Sequence, residues 1–199
     1  MKHLIQKRFF NTYEFSISDS KLNYRESRIG NEKEIEIPFE NIGATKKSLK
    51  KSEPLLIIGS IISILVTCSA IIFAESLRNA LWGGFFWAFV SIGLFIYYFV
   101  TKQNVWIISK YDGGAICFHK EDPNAEEVSE FITELMSARN KYLKERHLRI
   151  DKNLSYEEQF SRIEWLKNIE AIGIDEFYDL HEKLKIVVEP TKKKVGFEP

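Results

Sequence analysis

Three short runs near the start of the chain alternate apolar and polar residues. YEFSI spans Tyr13 to Ile17, KLNYRES places Leu22 and Tyr24 on one face, and EIEIPF does the same with Ile35, Ile37 and Phe39. SDS and a Gly-Asn pair supply the turns between them. Period-two alternation over linked runs predicts a half-buried antiparallel meander, and three strands with one apolar face need more strands or a helix to cover it. The pattern then breaks. KKSLKKSEPLLIIGSIISIL, from Lys46 to Leu65, passes from lysines to a stretch with no charge before Glu75. Leu55–Ala74 is twenty uncharged residues and Ala80–Thr101 another twenty-two. At about 1.5 Å per residue, each crosses a hydrocarbon core of roughly 30 Å. The connection ESLRN suits only a tight turn, so the pattern predicts a two-helix membrane hairpin.

The alternation resumes afterwards. NVWIISKY (Asn104 to Tyr111) reads as a strand, DGG as a hairpin turn, and AICFHK as the return strand. Pro123, Glu126 and Glu127 favour the first turn of a helix, in which Val128, Phe131, Ile132, Leu135 and Tyr142 form one apolar stripe. The expected fold class is therefore α+β: an antiparallel, barrel-like sheet capped by a helix, with the hairpin inserted in one of its loops. After the polar joint HLRIDKNLS, a first helix is traced by Tyr156, Phe160, Ile163 and Leu166. Ile172-Gly173 ends it, and Phe177, Leu180 and Leu184 line the apolar side of a second.

Flanking charge sets the expected orientation. Lys46, Lys47, Lys50 and Lys51 precede the first span and Lys102 follows the second, whereas the turn pairs Arg78 with Glu75. Cationic flanks stay cytoplasmic, which places both termini inside and the turn outside an inner membrane crossed twice. Trp82 near one end and Tyr97 and Tyr98 near the other fit interfacial belts. Gly59 with Ser63, and Gly84 with Ala88, are small residues four apart that permit close helix contact, either within the hairpin or between copies. No Asp, Glu, Lys, Arg or His lies inside either span, which argues against a transport path. The N-terminal MKHLIQKRFFNTYEF lacks the continuous apolar core of a signal peptide, so the first 50 residues are expected to stay on the side where they are made.

At this point the residues resemble a family. EIEIPFENIG, VWIISKYDGGAICFHK and EEVSEFITELMSARNKYL look like the pleckstrin-homology-like (PH-like) domains of bacterial membrane proteins, over about residues 10–50 and 103–145. IEWLKNIEAIGIDEFYDLHEKL, with Asp175, Glu176 and Phe177 as its acidic-aromatic start, resembles the short C-terminal (SHOCT) module found at the ends of such proteins. The resemblance implies a binding or scaffolding protein without catalytic residues. It departs from the usual order, in which the spans precede the whole domain. The expected organisation is a first PH-like half over 1–50, the hairpin over 54–101 (spans 55–74 and 80–101) and a second half with capping helix over 103–147. A SHOCT-like pair over 154–187 and a disordered tail over 188–199 complete it. Phe160, Trp165, Phe177 and Leu180 are the candidate partner-binding residues.

Composition adds exclusions. The 28 basic and 28 acidic residues balance, so no global field recruits nucleic acid. Cys68 and Cys117 suggest neither a disulfide framework nor a metal pair. His3, His119, His147 and His181 stand apart without a second ligand at turn or helix spacing, and no phosphate-binding glycine motif occurs. No enzyme, cofactor or small-molecule substrate is expected, and the expected partners are the lipid bilayer and a protein or another copy of the chain. Two functional classes remain open: a membrane-anchored cytoplasmic interaction module, and a membrane-acting effector or immunity component of a bacterial conflict system that oligomerises through its hairpin.

Overall fold

Five strands, rather than three, precede the apolar helices. The structure, a computed structural model, describes residues 2–72 and 77–188. β1 (His3–Arg8), β2 (Asn11–Ile17), β3 (Lys21–Arg28) and β4 (Asn31–Pro38) form one antiparallel sheet in that order. A 3-10 turn (Phe39–Asn41) leads into β5 (Ile42–Lys51), which joins β6 (Gln103–Lys110) and β7 (Ala115–His119) in a second antiparallel sheet. Between β5 and β6 run α1 (Pro54–Ile72) and α2 (Leu77–Thr101), and α3 (Ala125–His147), α4 (Tyr156–Asn168) and α5 (Ile174–Val187) follow. The connection at 73–76, the side chain of Trp82 and the lysine-containing tail from 189 lie outside the described residues.

β1 and β5 escape the alternation rule for physical reasons. In β1 the inward positions are Leu4 and Gln6, so a buried amide stands where an apolar residue would signal a strand. In β5 only Ile42 and Gly43 are buried, and from Thr45 onward the strand is exposed and carries four lysines. Gly43 is required there, because a Cβ would meet the Ser109 carbonyl oxygen at 2.6 Å. The β6–β7 turn needs its glycines too, with Gly113 and Gly114 at φ +95° and +82°. Pro123 lies before the third helix rather than in its first turn. Asn124 is the cap, its Oδ1 accepting the Glu127 N–H at 2.8 Å.

The chain divides into two compact units. One is built from the chain up to Lys47 and from Trp106 onward, the other from Ser48–Val105. In the first, residues on both sides of the apolar helices share one core. Phe15, Leu22, Ile37, Phe39 and Ile42 pack with Ile108, Phe118, Phe131 and Leu135. The Phe15 ring lies 4.5 Å from that of Phe118. Gln6 joins the two sheets where no strand pairing does: its Oε1 accepts the His119 N–H at 2.9 Å, while its Nε2 donates to the carbonyls of His119 and Asp122. A second core lies around Leu143, Ile163, Leu166, Ile169, Ile172, Phe177 and Leu184. α3 serves both cores.

The second unit is an antiparallel helix pair. Gly59 faces Leu94, the Ser60 and Ser91 hydroxyls lie 3.4 Å apart, Ser63 donates to the Trp87 carbonyl at 3.0 Å, and Gly84 faces Ile71. The Gly84–Thr101 part of α2 is long and apolar enough to cross a membrane, and Pro54–Ser69 is a shorter apolar stretch.

Candidate functional site

The four lysines foreseen as a simple flank belong to a strand. Lys46, Lys47, Lys50 and Lys51 are all exposed on β5. Within the sheet unit, Lys46 Nζ lies 4.2 Å from the centroid of the Trp106 ring, and Lys120 Nζ lies 4.0 Å from the same centroid. Each contact is worth about 0.5–1 kcal/mol at such a site. Trp106 and Lys120 were not foreseen as functional residues. A Trp on an inward-reading strand followed by a lone basic residue after the return strand is too common a pattern to signal a site.

Next to this cluster, the His119 ring lies against Tyr13 and near Arg8, whose Nη1 is 3.2 Å from His119 Nδ1. Burial and the Arg8 charge push the His119 pKa down, against a smaller opposing effect of Asp122. A neutral ring can accept the Arg8 N–H. Partial desolvation raises the pKa of the Cys117 thiol, although the residue as a whole is exposed. The turn at Gly113 sits at the other end of β6, where the Tyr111 N–H donates to the Asn41 carbonyl at 2.9 Å.

No family model, curated protein or solved structure matches the chain.

The tail residues chosen as partner-binding candidates are mainly core residues of the helical pair. Phe177 is buried, and Phe160, Trp165 and Leu180 are half-buried against the same core. Phe160 and Phe177 stack around His181, whose Nε2 lies 2.6 Å from the Tyr156 hydroxyl, and Trp165 meets His147 edge-on. The apolar side chains that α5 leaves exposed are Ile174, Tyr178, Ile186 and Val187.

What fixes this pair to the sheets is Arg139, which is completely buried. Its Nε donates to the Ile42 carbonyl at 2.7 Å, Nη2 to the Ile169 carbonyl at 2.9 Å, and Nη1 to Asn140 Oδ1 at 2.7 Å. One planar fork thus spans the start of β5 and the α4–α5 turn. Burial lowers its pKa, but a guanidinium keeps its charge. A signal existed in the sequence: Arg139 stands four residues from both Leu135 and Leu143, in the middle of the apolar stripe of α3. The small residues of the helix pair are also accounted for locally. Gly59, Ser63 and Gly84 are used by contacts within one chain, and Ala88 is half-buried. Among the described residues no group of His, Cys, Asp and Glu is placed to hold a metal ion.

Proposed function

We propose that the protein is a membrane-anchored cytoplasmic interaction module of the inner membrane. In this reading α1 and α2 cross the bilayer as a hairpin, the PH-like sheet unit stands on the cytoplasmic side, and the SHOCT-like helical pair takes a protein partner or another copy of the chain. One observation carries it: strands from before and after the apolar helices close over a single core. Both ends of the hairpin then lie on one side of any bilayer, so the number of crossings between them is even. With α2 able to cross by length and composition, α1 crosses with it. Support also comes from the helix pair's exposed apolar side chains, Leu55, Leu65, Phe86, Phe89 and Ile96 among them; clustered exposed apolar groups mark a membrane or interaction surface. The lysines of β5 and Lys102 mark the open end as cytoplasmic. In this reading the unit binds, and buried polar groups such as Gln6 and Arg139 serve to tie its elements together.

The reading predicts a modest particle. Purified in mild detergent, the protein should run as a monomer or dimer by light scattering, and reconstituted liposomes should retain an entrapped dye. Large oligomers that leak dye would instead support the membrane-acting effector, and the scaffold reading would be withdrawn.

A further inference from the structure

Hairpin tips in water are ordinarily polar, and two tips of the first sheet are not. β1 turns into β2 through Phe9 and Phe10, which are 63% and 76% exposed, and β3 turns into β4 through Ile29, at 77%. Phe9 adopts φ +52°, a conformation that side chains other than glycine seldom take, and its ring is held out with the Arg8 guanidinium 5.9 Å from its centroid. In an antiparallel meander alternate turns emerge at the same edge. The register Thr12↔Ser27 makes these two tips neighbours. Basic groups border the same edge. Lys7 and Arg8 precede the first tip and Arg28 the second. Arg8 touches His119, and the next residue, Lys120, shares the Trp106 ring with Lys46. Acidic groups nearby are engaged: Asp122 accepts the Lys7 N–H, Glu26 binds Arg28 at 2.6 Å and Glu32 binds Arg25.

We propose that this rim is a second lipid contact: Phe9, Phe10 and Ile29 enter the interfacial layer of an anionic bilayer, while Arg8, Lys46 and Lys120 pair with lipid phosphates. The inference rests on the membrane-anchored reading above and names a surface of the sheet unit that acts with the anchor. A bilayer fits better than a protein. The apolar groups are three separate protrusions rather than a groove or a continuous patch, and a stable protein interface needs about 800 Å² on each partner. Aromatic and aliphatic tips collared by cations match an interface that is apolar below and anionic above. Chain continuity supplies the rest. β5, which carries Lys46, ends three residues before α1, and β6, which carries Trp106, begins two residues after α2. Tethering of this kind gives a weak contact a high effective concentration.

The test uses the full chain with Cys68→Ala and Cys117→Ala, incorporated into nanodiscs of phosphatidylglycerol or of phosphatidylcholine alone. A fluorophore is attached at Asn31→Cys beside the tips, or at Asp112→Cys on the β6–β7 turn, and quenched by nitroxide-bearing lipid. Quenching is expected at Asn31→Cys in anionic discs and not at Asp112→Cys. It should weaken in phosphatidylcholine and be lost when Phe9, Phe10 and Ile29 are all serine, a change at exposed positions that leaves the fold and incorporation intact. Incorporation with no quenching at Asn31→Cys, or quenching indifferent to the serines, would overturn this proposal and leave the anchor standing. A protein that does not enter the discs would overturn both.

Discussion

Phe39→Ala is expected to weaken the two halves of the sheet unit together. Phe39 is fully buried in the 3-10 turn, and its ring meets Tyr142 of α3 edge-on at 5.6 Å. Removing a buried aromatic costs about 3–5 kcal/mol, because its transfer energy is lost and the cavity closes only in part. That is a large share of the roughly 5–15 kcal/mol that holds an ordinary domain. The loss falls on one cooperative unit, since the core that contains Phe39 includes Phe15 and Leu22 from before the helices and Ile108, Phe118 and Phe131 from after them. Amide exchange in detergent should therefore rise in step in β2–β4 and in β6, β7 and α3. A rise confined to the strands before α1 would mean that the halves fold separately.

Arg139→Met is expected to loosen the helical pair. Methionine keeps the apolar stem packed in α3 but removes the donors to Ile42 and Ile169. Hydrogen bonds from a charged donor are each worth about 1.5–3 kcal/mol, and the Ile169 carbonyl still accepts the Tyr111 hydroxyl at 3.4 Å, which limits the further penalty there. Two such bonds give a loss of about 3–6 kcal/mol, concentrated where the other polar contacts are weak: the long Tyr111–Ile169 bond at 3.4 Å and the surface pair Lys144–Glu176 at 2.7 Å, which adds little. Exchange in 156–187 should rise ahead of that in β1–β4. Arg139→Lys should not rescue it, because a single ammonium cannot reproduce the planar fork that reaches two elements. If α4 and α5 keep their protection in Arg139→Met, the apolar core around Leu143 and Leu166 suffices and the arginine is incidental.

The sequence made the elements built on apolar periodicity legible and hid those built on polar groups. β2, β3, the Ile35–Phe39 run, β6, β7 and the three later helices all declare themselves through buried residues at period two or 3.6. β1 did not, because its inward Gln6 works as a substitute peptide group, bonding His119 and Asp122 in place of a strand ladder. β5 did not, because a strand whose side chains mostly face water carries no alternation to read. The candidate surfaces were less legible still. Lysines were visible as charge, but their approach to Trp106 depends on β5 and β6 being neighbours across more than fifty intervening residues. In the tail, Phe160, Trp165, Phe177 and Leu180 have the composition of a binding patch, yet a pair of short helices needs the same residues to make any core. Periodicity alone does not separate the two uses.

The central claim is that one folded unit is interrupted by a hairpin that crosses the membrane and returns. Single cysteines at Lys50, Ser76 and Ser161, placed in the chain with Cys68→Ala and Cys117→Ala, test it in intact cells with a membrane-impermeant thiol reagent. The account predicts labelling at Ser76→Cys alone, with Lys50→Cys and Ser161→Cys reacting only after the cells are opened. Labelling of Ser161→Cys while Lys50→Cys stays protected would place the two parts of the sheet unit on opposite sides of the membrane and contradict the account outright.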